Sequence, residues 1–248
     1  MPNPYFRFQK FIIRQEKCAM KVCTDACLFG AWVANRMKNA GRILDIGTGT
    51  GLLSLMVAQK SMALIDAIEI DKDACEQAGE NFQNSPWANR LNIINAPVQQ
   101  FATSFLYDNT SSYDLVLSNP PFHKNDLRSQ DSKRNIAMHS ETLGLDQLMD
   151  SANKMLMPGG FFSLIIPYRR AEYTRRLAAE KGFCLTDIVN IRQTARHTYF
   201  RTIYLFCKSS CEPAKASEII IKNDNQTYTA EFGKLMQDYY LIPDNQSK

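Results

Sequence analysis

Asn119-Pro120-Pro121-Phe122 is the stretch of this chain best suited to chemistry. An asparagine side-chain carbonyl and a proline backbone carbonyl, held side by side, can accept both hydrogens of a planar amine. That aims the nitrogen lone pair outward and favours positive charge developing on nitrogen, as methyl transfer to the amine requires. Pro121 has no N–H and a fixed φ, which keeps the turn rigid. Phe122 offers a ring face on which an extruded base can stack. No strong base is needed, because protons can leave after transfer. Taken alone, the tetrapeptide is also compatible with an ordinary Pro-Pro turn.

A second motif supplies what the first lacks. Leu44-Asp45-Ile46-Gly47-Thr48-Gly49-Thr50-Gly51-Leu52 reads as a strand end, a glycine loop and a helix start. Glycines allow a tight turn and close approach of the backbone to a ligand. The dinucleotide spacing G-x-G-x-x-G fails, because its third position falls on Leu52. The pattern is D-x-G-x-G-x-G instead. Asp45 would repel a pyrophosphate and suits a cation. S-adenosylmethionine (SAM) carries a sulfonium and an ammonium group and no phosphate, so Asp45, Gly47, Gly49 and Gly51 are expected around SAM. Glu69 follows about 20 residues after the loop, at the tip of the next strand, where a carboxylate can accept both ribose hydroxyls. Asp71 reads as the N-cap of the following helix.

The elements that must hold these motifs alternate along the chain. Apolar runs predict strands at 42–46, 64–70, 91–95, 113–118 and 161–167, with helices at 52–59, 73–83 and 144–157 between them. This alternation argues a parallel sheet covered by helices on both faces. The runs 184–193 and 199–208 are too close for a crossover helix and should pair antiparallel. The expected fold is α/β, a Rossmann-like class I methyltransferase with a seven-stranded, mostly parallel sheet and an antiparallel last strand. One unit of 1–248 is expected, with a front lid segment 1–40, a core 41–208 and a strand-helix extension 209–248. In the front segment Thr24 reads as an N-cap, followed by an apolar stripe of Leu28, Phe29, Trp32, Val33 and Met37. The tail should form a strand over 218–222 and a helix over 229–239. The chain has 248 residues, 45% hydrophobic and 22% charged, which excludes a disordered chain. No apolar run reaches the ~18 residues of a membrane span. No signal peptide is evident, so a cytoplasmic protein is expected. The 7 cysteines and 3 histidines lack metal-site spacing, and free thiols in a reducing compartment are expected.

These residues resemble the class I SAM-dependent methyltransferases that modify amino groups. The segment Cys18 to Asp25, with Gly30-Ala31-Trp32, Asn84-Ser85-Pro86-Trp87, Asn119-Pro120-Pro121-Phe122, Tyr228 to Phe232 and Asp238 to Leu241, is similar to the bacterial tRNA-valine adenine-37 N(6)-methyltransferase family. The resemblance implies Thr24 near the methionine end of SAM, Asp45 to Gly51 around it, Glu69 at the ribose and Asn119 to Phe122 at the adenine. The chain departs from that family at Cys23, where glycine is usual, and at Pro97, where many members carry an aspartate for the cofactor adenine amine. Pro97 can offer only its carbonyl.

The net charge of +4 conceals basic stretches at 1–21, 123–134, 167–176 and 190–201. Lys124, Arg128, Arg192, Arg196 and Arg201 are candidate phosphate contacts; a solvated surface is the plainer reading. The expected activity is therefore methylation of an adenine N(6) amine in tRNA, by a protein without metal or membrane, as a monomer. Two rivals stand beside it. One is protein glutamine N(5)-methylation, which also presents a planar amide nitrogen to an Asn-Pro-Pro site but generally uses a helical N-terminal domain. The other is a catalytically silent RNA-binding module.

Overall fold

A computed structural model of the protein describes residues 3–107, 112–121, 143–209 and 212–241. Phe122, Lys124 and Arg128 lie outside them. Two short strands, β1 (Tyr5–Arg7) and β2 (Ile12–Arg14), form an antiparallel hairpin. Then follow α1 (Thr24–Arg36), β3 (Arg42–Ile46), α2 (Leu52–Ala58), β4 (Leu64–Glu69), α3 (Lys72–Gln83), β5 (Leu91–Asn95) and α4 (Val98–Tyr107). The later elements are β6 (Tyr113–Ser118), α5 (Leu145–Met155), β7 (Leu156–Pro167), α6 (Ala171–Glu180), β8 (Cys184–Arg192), β9 (Arg201–Cys207), β10 (Lys215–Ile220) and α7 (Ala230–Met236).

The main sheet has eight strands in the order β10-β8-β9-β7-β6-β3-β4-β5. β9 alone runs antiparallel to its neighbours, as expected for the last strand of a seven-stranded sheet. The tail adds an eighth strand: β10 pairs parallel to β8, Lys215 opposite Asp187 and Ile220 opposite Arg192. That register starts the strand three residues before the predicted 218. Thr229 caps α7 by accepting the Phe232 N–H, and the helix closes at Met236 rather than 239.

The period-two alternation of the strands sorts their side chains between two apolar layers. Ile43, Ile65, Leu115 and Ile203 face one layer, with α1, α2, the hairpin residues Phe8 and Phe11, and Phe232 and Tyr239 of the tail. Leu44, Ile46, Val116, Leu164 and Phe206 face the other, built on α4, α5 and α6. Five cysteines (Cys18, Cys23, Cys27, Cys75 and Cys207) are free thiols. Cys184 is disulfide-bonded, against the expectation of free thiols throughout. Among the described residues no helix is long and apolar enough to cross a membrane, and no group of His, Cys, Asp or Glu is arranged to hold a metal ion.

Candidate active site

The chain runs outward through β3, β4 and β5, then jumps back to β6 on the other side of β3. Neighbouring loops leave β3 and β6 in divergent directions at that switch point, which opens a crevice beyond the strands' carboxyl ends. Both chemical motifs stand there. Ile46 is in register with Ser118, and Ser118 Oγ donates to the Ile46 carbonyl at 2.8 Å. The glycine loop and Asn119 therefore leave adjacent strands from one fixed point.

The loop glycines serve different ends. Gly47 (φ 69°) and Gly49 (φ 57°) adopt left-handed backbone, and a Cβ on either would meet open space. That open space, the cradle, leaves room for a ligand against the loop. Gly51 (φ 80°) also faces a close approach, since its Cβ would lie 2.5 Å from Phe82 Cε1 of α3. The Gly47 and Thr48 N–H groups donate to the Ile68 carbonyl, fastening the loop to β4.

Two acids flank the loop. Glu69 is nearly buried; its carboxylate accepts the Gly49 N–H at 2.9 Å and the Asp71 N–H at 3.0 Å. Asp71 caps α3 as expected, accepting from the Ala74 N–H. Asp45 is completely buried. Its Oδ2 accepts from the Thr48 hydroxyl at 2.6 Å and the Ser54 hydroxyl at 2.8 Å, while Oδ1 is buried without a partner. Burial pushes the Asp45 carboxyl up to about 6, against the pull of the two hydroxyls. The folded chain thus holds this proton more tightly than the unfolded chain. Stability contributed by the protonated form is present at acidic pH and is lost as pH rises toward 6 and above. We expect Asp45→Asn to remove this dependence. Between pH 4 and 7, chemical denaturation should show wild type losing on the order of 2–3 kcal/mol relative to Asp45→Asn. A difference that stays constant with pH would show an unperturbed carboxyl.

Asn119 and the buried Pro120 line a cleft of about 510 Å3. Met20, Cys23 and Asp25 form its front wall; Pro167, Tyr168, Arg169, Tyr199, Phe200 and Arg201 form the wall opposite. Arg201 Nε donates to Asp25 Oδ2 at 2.7 Å and joins the two walls. Burial alone would raise the Asp25 carboxyl, but the Cys23 thiol and Arg201 hold it below its usual range. A larger cleft, about 710 Å3, opens beside Arg36, Asp114 and Gly159. It lies toward the amino ends of β3 and β6, away from the loops that carry the motifs.

The front wall is secured from both ends of the chain. Gln9 Nε2 donates to the carbonyls of Gln237 and Tyr240, and Tyr239 donates its phenol to the Met56 carbonyl. Lys60 pairs with Asp238. Asn81 of α3 bridges the Arg14 and Thr50 carbonyls, linking the hairpin to the glycine loop.

One expectation, the Thr24 cap, needs correction, and two candidate site residues have partners within the chain. Cys23, not Thr24, occupies the N-cap position of α1, and it makes no side-chain cap. Thr24 is the first residue of the helix. The Pro97 carbonyl, assigned to the cofactor, already accepts the Gln100 and Phe101 N–H groups at 3.1 Å each and starts α4. Arg192 donates to Glu218 at 2.8 Å and to the Ala195 carbonyl, and lies over the Tyr199 ring at 5.5 Å. It braces the wall. Arg196 is 80% exposed beside Asp224. Sequence reasoning missed Thr48 and Ser54 as partners of Asp45, and Tyr168 and Tyr199 as wall residues. The hydroxyls were discoverable from their positions in the loop and the first turn of α2; the tyrosine pair had no local signal.

The Methyltransferase small domain family model matches residues 30–193. A tRNA1(Val) (adenine(37)-N6)-methyltransferase of Parabacteroides distasonis is 38% identical over 241 residues, covering 97% of this chain and 99% of that protein. The enzyme of the same name from Dyadobacter fermentans is 39% identical, covering 96% and 98%. The chain belongs to this tRNA1(Val) (adenine(37)-N6)-methyltransferase family. Among solved structures, a predicted O-methyltransferase from Agrobacterium tumefaciens superposes with a TM-score of 0.68 at 19% identity, covering 89% of this chain and 99% of that one. A putative RNA methyltransferase from Pyrococcus horikoshii gives 0.51 at 18% identity, covering 74% and 82%. Both share the methyltransferase fold.

Methyltransferases of this family and fold take SAM as methyl donor. The cradle fits it. Gly47 and Gly49 leave room against bare backbone, Asp45 keeps an unpartnered buried oxygen, and Glu69 stands at the strand tip with its carboxylate already oriented.

Proposed function

We propose that this protein methylates the N(6) amine of adenine 37 in tRNA1(Val), in the cytoplasm. The carrying observation is that Asn119 and Pro120 line one cleft with Arg201 and Tyr168, beside a glycine cradle to which Ser118 ties them.

In this reading Gly47 and Gly49 hold SAM against the backbone, and Glu69 accepts its ribose hydroxyls. Ile70, 65% exposed at the end of β4, gives the cofactor adenine an apolar face. The bound cofactor supplies an electrophilic sulfonium methyl. Asn119 Oδ1 and the Pro120 carbonyl accept the two amine hydrogens and point the nitrogen lone pair at that methyl. With the donor bound, the methyl would pass from sulfur to the nitrogen that these two carbonyls hold, and the excess proton would then leave to water. The two carbonyls stabilise the charge that appears on nitrogen, which is greater in the transition state than in the ground state. Phe122 supplies a stacking face for the adenine. Lys124, Arg128, Arg196 and Arg201 meet the phosphates around it.

The test is to incubate the protein with SAM and tRNA lacking the modification, then digest and measure nucleosides by mass spectrometry. N(6)-methyladenosine at position 37 is the expected product, and tRNA binding should weaken steeply with salt as phosphate counterions are released. Arg196→Glu should flatten that salt dependence. Methylation of a release-factor glutamine instead, with no methylated adenine, would overturn the reading.

A further inference from the structure

Tyr168 stands at the mouth of the Asn119 cleft in an arrangement the methyl-transfer chemistry does not use. It is the first residue after β7, and its N–H donates to the Phe200 carbonyl at 3.1 Å, which pins its backbone to the opposite strand connection. Its ring leans on Tyr199 with centroids 5.2 Å apart. Tyr199 is itself clamped: its phenol donates to Glu218 Oε2 at 2.7 Å, and the Arg192 guanidinium lies over its ring. Glu218 belongs to β10, the strand the tail adds to the sheet. A chain of supports thus runs from the eighth strand through Glu218, Arg192 and Tyr199 to Tyr168. Despite it, Tyr168 remains 42% exposed. Arg169 lies exposed beside it on the same wall.

We propose that Tyr168 is a stacking platform for an unpaired nucleotide next to the target adenine, with Arg169 meeting that nucleotide's phosphate. The proposal rests on the reading of the cleft as an adenine site and adds a second nucleotide subsite to it. When one base is drawn out of its stack, its neighbour loses a stacking partner, and a fixed aromatic ring replaces it. Stacking on an aromatic ring tolerates any base, so the subsite selects unpaired RNA rather than a particular sequence. A braced ring also loses little rotamer freedom on binding, which preserves the affinity gained.

The test pairs a protein change with an RNA change. Binding of a hairpin RNA with the adenine in its loop is measured by fluorescence anisotropy in the presence of S-adenosylhomocysteine. Further hairpins carry an abasic residue on one or the other side of that adenine. Tyr168→Ala should weaken binding of the intact hairpin roughly five- to hundredfold, and Tyr168→Phe should restore it. One abasic hairpin should bind wild type more weakly by a similar factor and should bind Tyr168→Ala with little further loss. Equal abasic penalties in both proteins would overturn the platform, as would wild-type affinity for Tyr168→Ala. A Tyr168→Ala protein with altered melting temperature or S-adenosylhomocysteine affinity would also count against it, by showing a structural role. Because these measurements need no turnover, failure of wild type to form N(6)-methyladenosine would strike the adenine reading separately.

Discussion

Asn119→Ala should lower kcat by on the order of 10²–10³ while leaving the protein folded. The side-chain carbonyl is most useful when charge has appeared on the amine nitrogen, so its loss falls on the chemical step. Nothing in the packing opposes the substitution, since Asn119 is only partly buried at the end of β6 and the Ser118–Ile46 hydrogen bond does not involve its side chain. Single-turnover methyl transfer with saturating tRNA is the measurement. Turnover within a few-fold of wild type would reduce Asn119-Pro120-Pro121 to the plain turn that its composition also permits.

Glu69→Ala should raise the dissociation constant of S-adenosylhomocysteine by roughly 10²–10⁴. A carboxylate that accepts two ribose hydroxyls makes two charge-assisted hydrogen bonds, each worth about 1.5–3 kcal/mol. The same carboxylate accepts the Gly49 and Asp71 N–H groups, so its removal also loosens the loop that forms the cradle. Glu69→Gln retains one acceptor oxygen and should fall between the two. Calorimetric titration reads the effect directly, and a change under threefold would place the ribose elsewhere.

Sequence was most informative where a local pattern has a single physical solution. Parallel strands here are short runs rich in apolar residues, and β3, β5 and β6 lie where those runs stand. The loop glycines and the acid at the β4 tip were legible because turn geometry and register act within a few residues. α4 was not anticipated, because Val98–Tyr107 contains no charged residue to mark a polar face and follows Pro97. β7 begins at Leu156, upstream of Pro158-Gly159-Gly160, because Leu156 already pairs with Tyr113 of β6; the register then shifts, and pairing with β6 resumes and with β9 starts at Phe161. The three-residue strands of the hairpin carry too little pattern to be read at all. Within the site, the Arg192–Glu218 pair was not legible because Glu218 lies 26 residues away on a strand the tail adds. Tyr168 and Tyr199 likewise acquire their meaning only once β7 and β9 lie side by side.

The clasp between Gln9 and Tyr240 spans 231 residues of chain. At a synthesis rate of roughly 5–20 residues per second, the emerging hairpin waits on the order of 10–50 s for its partner. Through that interval Phe8 and Phe11, both buried in the finished protein, have no tail to pack against. The hairpin and the tail can therefore close on each other only after the sheet strands that lie between them in sequence have been made.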